Sequence, residues 1–255
     1  MTDSWIGLCR FTRARIALGR SGHAVPTRAM LDFQLAHAEA RDAVHLPWDI
    51  QAFAEQLGQT AEEALILNTP VTDRNEYLRR PDLGRILTEA SMSRLRSTAN
   101  GASDIALIIS NGLSSTAIDR HGIPLVESIL HCYRARNFRI APIVLVANGR
   151  VALLDVIGSA VAARLAVIIV GERPGLTAAD SLGIYLTFAP QPGNTDAQRN
   201  CISNIRPPEG LSYAVAAEKL MYLSDEALRR GISGVALKEK SAGLVNEGIN
   251  CKTCQ

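Results

Sequence analysis

Glu172 and Arg173 form the charged pair in this chain best placed to act on a ligand. They sit in Gly171-Glu-Arg-Pro-Gly175, directly after the apolar run Leu165-Ala-Val-Ile-Ile-Val170. Gly171, Pro174 and Gly175 force a tight, exposed turn. A carboxylate there accepts hydrogen bonds and a guanidinium donates them; the same residues also suit a plain connection whose charges are solvated. Cys201, in Asn200-Cys-Ile-Ser-Asn204, offers a small, soft side chain that serves equally well in a core. Cys251-Lys-Thr-Cys254 is a Cys-x-x-Cys pair without a second pair, which reads as a tail rather than a metal or redox centre. The five histidines, His23, His37, His45, His121 and His131, share no metal-ligand spacing. No Gly-x-Gly-x-x-Gly, Walker loop or Gly-x-Ser-x-Gly elbow occurs. These residues alone describe a ligand-binding surface with no catalytic residue and no metal site of its own.

Such a surface needs elements that bring its residues together. Leu165 to Val170, apolar and rich in β-branched residues, predicts a strand buried on both faces. Asp104 to Ser110 predicts another, followed by Asn111-Gly112 and a helix capped by Ser114 or Ser115. Ile140 to Val146 predicts a third. It ends at Asn148-Gly149-Arg150-Val151, a strand-to-helix connection because Leu154, Ile157 and Val161 follow at helical spacing. Gly183 to Phe188 and Ser233 to Leu237 read as strands, and Tyr213 to Arg230 as a helix that Gly231 terminates.

This alternation predicts an α/β fold: a Rossmann-like, mostly parallel sheet flanked by helices, over residues 101–255. Residues 1–100 read as a helix-rich N-terminal region. Thr27 to Val44 carries Met30, Leu31, Phe33, Leu35 and Ala38 in helical phase, and Asp49 to Leu67 and Leu83 to Leu95 read as further helices. Ligands of open α/β sheets bind beyond the carboxyl ends of the strands. Asn111-Gly112, Asn148 to Val151, Gly171 to Gly175 and a loop at Asn200 to Asn204 are therefore expected to crowd one edge.

Composition removes several classes. At 255 residues, 47% hydrophobic and 20% charged, the chain can bury a full core and is not disordered in character. No apolar run approaches the roughly 20 residues of a membrane span. The amino terminus lacks the layout of a secretory signal, and the five cysteines show no disulfide framework, so a cytoplasmic, reduced protein is expected. The bases are 23 Arg and 4 Lys, and the net charge is only +2. Genomic base composition accounts for that bias as well as bidentate binding does. Arg10, Arg13, Arg15, Arg20 and Arg28 lack interleaved aromatics and any nucleic-acid motif, which favours a solvated face or a subunit contact.

Several longer motifs carry a resemblance. Gly149-Arg-Val151, Val170-Gly-Glu-Arg-Pro-Gly-Leu176 with Ser181-Leu182, and Arg199-Asn-Cys-Ile-Ser-Asn-Ile205 resemble the small (light) subunit family of ethanolamine ammonia-lyase. Ala14-Arg-Ile-Ala-Leu-Gly-Arg20, Leu78-Arg-Arg-Pro-Asp-Leu-Gly84 and Ser110-Asn-Gly-Leu-Ser114 are similar to it too, so the likeness runs from about residue 12 to 237. It implies an adenosylcobalamin-dependent lyase that converts ethanolamine to acetaldehyde and ammonia by a radical route. The family's large subunit, a barrel, would hold substrate and carry the chemistry. The small subunit would cover the corrin within a hetero-oligomer, in the cytoplasm or a bacterial microcompartment. By motif, its cobalamin contacts fall on Val151, Glu172 and Cys201.

Two departures accompany the likeness. Asn111 stands where the family usually has Asp, and the longer polar N-terminal extension of some members is missing; the tail after about Lys238 has no assignable counterpart. The readings that compete are a stand-alone α/β domain for another ligand and a purely architectural subunit. A large-subunit partner and a cobalamin-loaded complex separate the first reading from both.

Overall fold

The computed structural model describes residues 5–59, 64–98, 101 and 103–239; Cys251 and Cys254 lie outside them. Six strands occur in chain order: β1 (Leu65–Asn68), β2 (Ser103–Ser110), β3 (Val144–Ala147), β4 (Ala163–Gly171), β5 (Leu182–Phe188) and β6 (Asn200–Ile205). Seven α-helices accompany them: α1 (Thr27–His45), α2 (Ile50–Gly58), α3 (Arg74–Arg79), α4 (Glu89–Thr98), α5 (Ser115–Ala135), α6 (Leu153–Ala160) and α7 (Tyr213–Arg230). The strands form one sheet in the order β1-β3-β2-β4-β5-β6. The first four are parallel, while β5 and β6 are antiparallel additions. This is the mixed α/β, mostly parallel sheet that the alternation predicts.

Alternation of side chains divides the core in two. On one face Leu107, Ile109, Val167, Ile169, Ile184 and Ile202 meet helices α2, α5 and α7. On the other, Ala106, Ile108, Ala166 and Ile168 meet α4 and α6. Of β5 and β6, only Tyr185 packs against this second cluster. Beyond β4 Gly183 and Thr187 on this second face are still buried, and the face opens into a shelf at Tyr185, Cys201 and Ser203.

Several local expectations need correction. The helix expected to run to Leu67 stops at Gly58, and Leu65–Asn68 is a strand that pairs with β3, so the sheet takes one strand from the first hundred residues. Pro142 lacks an N–H, and the strand expected from Ile140 begins at Val144. The helix expected from Leu83 is a 3-10 turn at Leu83–Arg85 followed by α4. Ser233 to Leu237 holds a 3-10 turn, Gly234–Ala236, instead of a strand. The expected loop at Asn200 to Asn204 is strand β6. In α1 the buried side chains are Ala36, Ala40 and Ala43, whereas Met30, Leu31, Phe33 and Leu35 are exposed. Helix α7 spans Tyr213–Arg230, with Ser212 capping its start and left-handed Gly231 its end.

Candidate cofactor-binding site

Glu172 leaves the end of β4 and folds over β5, where Gly183 makes room: a Cβ on Gly183 would stand 2.9 Å from Glu172 Oε1. The seat of the carboxylate is built by a β-bulge. Leu182 pairs with Ile205 and Ile184 with Ile202, so Ser203 and Asn204 together oppose Gly183. Asn204 takes φ +62°, a conformation asparagine tolerates better than most residues. A bulge re-aims side chains, and here it turns two donors toward one acid. Ser203 Oγ donates to Glu172 Oε1, and the Asn204 N–H donates to Oε2 at 3.2 Å. Ser181 Oγ adds a third bond to Oε2, at 2.6 Å. The half-buried carboxylate is thus anchored by these three donors rather than paired with Arg173, which is exposed. A carboxylate offers about four acceptor positions, so Oε1 keeps one for a ligand.

Cys201 lies directly opposite Tyr185 in the β5–β6 register and shares the shelf with Glu172. Its side chain is exposed and free of any disulfide. Surrounding atoms push the thiol above its ordinary pKa. The Tyr185 hydroxyl lowers it in part and the Glu172 carboxylate raises it again. Desolvation also drives the Tyr185 phenol well upward, assisted by Cys201 and Glu172. A protonated thiol beside a protonated phenol is a packing surface with a weak donor, the opposite of an activated nucleophile.

Val151 is half-buried and packs against the second core cluster, the same layer that Tyr185 touches. Its connection is fixed from several sides. Asn148 N–H donates to Asn111 Oδ1 at 2.7 Å and Gly149 N–H to Ser110 Oγ at 3.0 Å. Tyr77 donates its hydroxyl to the Gly149 carbonyl at 3.1 Å, while the guanidinium groups of Arg74 and Arg150 lie 4.8 and 4.0 Å from the Tyr77 ring centroid. The turn after β2 meets the end of β4 through Leu113 N–H to Gly171 O, 2.9 Å. A Cβ on Gly171 would approach the Ser114 and Asn111 carbonyl oxygens to 2.3 and 2.4 Å, which restricts that position to glycine. Three of the expected turns therefore converge. The fourth element, β6, joins along the shelf rather than at the strand ends.

A buried ion pair ties Val151's connection to Cys201's strand. Arg199 Nη2 meets Asp155 Oδ2 at 2.5 Å, with the side chains only 4% and 3% exposed, and the Asn194 amide donates to the other Asp155 oxygen at 3.1 Å. Asp155 is in the first turn of α6, just after Val151, and Arg199 immediately precedes β6.

The shelf suits a broad, mostly apolar disc rimmed with amides. Tyr185 and Cys201 offer apolar or soft contact on the shelf, Val151 offers it on the connection after β3, Gly183 admits the Glu172 side chain, and Oε1 retains an acceptor position. Among the described residues no three His, Cys, Asp or Glu side chains group as a metal site. No described helix is long and apolar enough to cross a membrane. His121, one of the five histidines, is 2.8 Å through Nδ1 from the Tyr213 hydroxyl, and its Nε2 lies 3.5 Å from Asp180, away from the shelf face.

Comparison with known proteins decides the family. The family model for "Ethanolamine ammonia-lyase light chain (EutC)" matches residues 2–238. The chain belongs to the ethanolamine ammonia-lyase light-chain family. It is similar to the ethanolamine ammonia-lyase small subunit of Pseudomonas aeruginosa strain UCBPP-PA14, at 51% identity over 96% of this chain and 91% of that protein. It is likewise similar to those of Azotobacter vinelandii, 52% over 94% and 89%, and Ralstonia nicotianae, 53% over 93% and 88%. As a member of this family it is a subunit of a lyase. Residues beside Glu172 and Cys201 that sequence reasoning missed are Tyr185, Gly183, Ser181 and Ser203. The apolar–polar alternation around Ile202, which marks a half-buried strand, is the signal that could have found the last.

Proposed function

We propose that this light chain binds adenosylcobalamin over the β5–β6 shelf and the β3–α6 connection through Val151, Glu172 and Cys201, and completes a hetero-oligomer with a barrel-type large subunit that converts ethanolamine to acetaldehyde and ammonia. The reading rests on family membership and on one observation above all: Glu172 and Cys201 share an uncovered face of the sheet. When bound, the cofactor supplies the organic radical that starts the rearrangement. This chain's own residues bind and orient. Glu172, held rigid by Ser181, Ser203 and Asn204, accepts a hydrogen bond from a peripheral amide through Oε1. Val151 and Cys201 pack on the ring, and Asn111 positions the Val151 connection without touching the ligand. The assembly works in the cytoplasm, free or inside a bacterial microcompartment.

The test is a cobalamin titration of the reconstituted complex, followed by its visible spectrum. Glu172→Ala is expected to weaken binding about ten- to a hundredfold, the worth of a hydrogen bond to a charged group, and Glu172→Gln less. Equal dissociation constants for wild type and Glu172→Ala would rule out the role of Glu172. The isolated chain is expected to release no ammonia from ethanolamine until the large subunit and cofactor are added.

A further inference from the structure

Of fifteen large apolar side chains left exposed among the described residues, eleven lie between Trp5 and Leu46; the other four are Ile86, Leu176, Val215 and Val235. Such a concentration marks a contact surface. It has a definite shape. The arm before α1 and the outward side of α1 enclose a groove of about 610 Å³ lined by Arg13, Arg15, Val25, Met30, Phe33 and Leu176. Arg15 closes one end, donating to the Leu176 carbonyl at 3.2 Å with its guanidinium 5.9 Å from the Phe33 ring centroid. Helix α1 can leave these residues outside because its inner side is made of Ala36, Ala40 and Ala43.

Charge and position select the occupant. Between Trp5 and Phe33 stand five arginines, Arg10, Arg13, Arg15, Arg20 and Arg28, against one acid, Asp32. A second copy docking the same patch about a two-fold axis would set arginine against arginine. Leu176 belongs to the same loop as Glu172, so a body covering the shelf reaches the groove without interruption. We infer that the arm and the outer face of α1 are the docking surface for the large subunit, which presents apolar side chains flanked by carboxylates. This rests on the proposed assembly with a large subunit over the Glu172 side.

Sedimentation titration of the full-length chain with purified large subunit tests it. Met30→Asp/Phe33→Asp is expected to weaken association about 100-fold, the scale of losing central anchors. Val235→Asp, at a still more exposed apolar site elsewhere, is expected to leave it unchanged. Arg13→Glu/Arg15→Glu is expected to weaken it about tenfold and to reduce its salt dependence. Circular dichroism establishes that each variant folds; should the double Asp variant fail, Met30→Ala/Phe33→Ala is expected to lose about tenfold. Unchanged affinity in the folded groove variants overturns the inference. So does a change confined to self-association of this chain, which would assign the groove to a second copy. Failure of the cofactor reading looks different: Glu172→Ala would assemble normally and bind cobalamin as wild type does.

Discussion

In β2 and β4 every residue from Ile105 to Ser110 and from Leu165 to Gly171 is buried, whereas in β6 only Ile202 and Ile205 are. The contrast follows from how the strands are joined. Parallel neighbours need crossover helices, and those helices cover both faces. Antiparallel β5 and β6 follow without such crossovers: α7 and its neighbours cover their first face, while on the second face Gly183 and Thr187 of β5 are buried and Cys201 and Ser203 of β6 are exposed. Within one sheet, the change of strand direction after β4 joins a sealed half to a half with an exposed edge.

The joint between the two halves is where the largest effect is expected. Asp155→Ala leaves the buried Arg199 with only Asp196, whose side chain is 99% exposed, as its counter-charge, and denaturant unfolding should record a loss approaching the about 3–5 kcal/mol of a broken buried pair. Replacing both partners by Leu and Met should recover most of it; no recovery would mean that the loss does not come from the stranded charge. In the doubly covered half, Leu107→Ala, wholly buried, should cost about 2–5 kcal/mol. A smaller loss than that of any shelf variant would break the contrast. On the shelf, Glu172→Ala removes three internal hydrogen bonds to a charged acceptor, and about 1.5–3 kcal/mol of stability should go with them. Glu172→Gln should recover part of that.

Asp180 gives the contrast a pH dependence. Desolvation alone would raise its pKa, but hydrogen bonds from Arg120 and Arg206 and the positive charge of Arg206 outweigh this and hold it below the ordinary carboxylate value. Its contribution is complete above the ordinary carboxylate pKa and is lost as pH falls through the lowered folded value. Acid unfolding of Asp180→Asn should therefore show a flatter limb below about pH 4 than wild type; identical limbs would remove Asp180 from the account. The smallest effect belongs to Cys201→Ala, expected to change stability by less than about 0.5 kcal/mol because the side chain is exposed. Its raised thiol pKa predicts slow alkylation near neutrality that accelerates above pH 9, read by site-resolved mass spectrometry.

The sealed half was legible in the sequence because its signals are local. Leu165 to Val170 is continuously apolar, and α7 carries its stripe, cap and terminator within its own span. The misread pieces depend on distant partners. Leu65–Asn68 is four residues long, and only pairing with β3 makes it a strand. The apolar stripe of α1 was visible, but not that alanines would be the inner side. Glu172 and Cys201 stood out by residue type and motif; the bulge that seats one beside the other needs Asn204 at positive φ and a facing Gly183, neither of which spacing reveals. Asn111 shows the same dependence. Its amide donates to Ser115 Oγ at 3.0 Å while its carbonyl accepts from Asn148, a double role an ionised aspartate lacks.

The order of neighbours in the sheet also sets a timetable for synthesis. Leu65 finds its partner in Val144, 79 residues later, since 144 minus 65 is 79. At about 5–20 residues per second, the first strand leaves the ribosome on the order of 4–16 s before its neighbour exists. During that interval the apolar arm and α1 have already emerged, with neither a sheet nor a partner subunit to cover them. Slower translation past residue 147, or a large subunit already in place nearby, would decide how much of the newly made chain escapes aggregation.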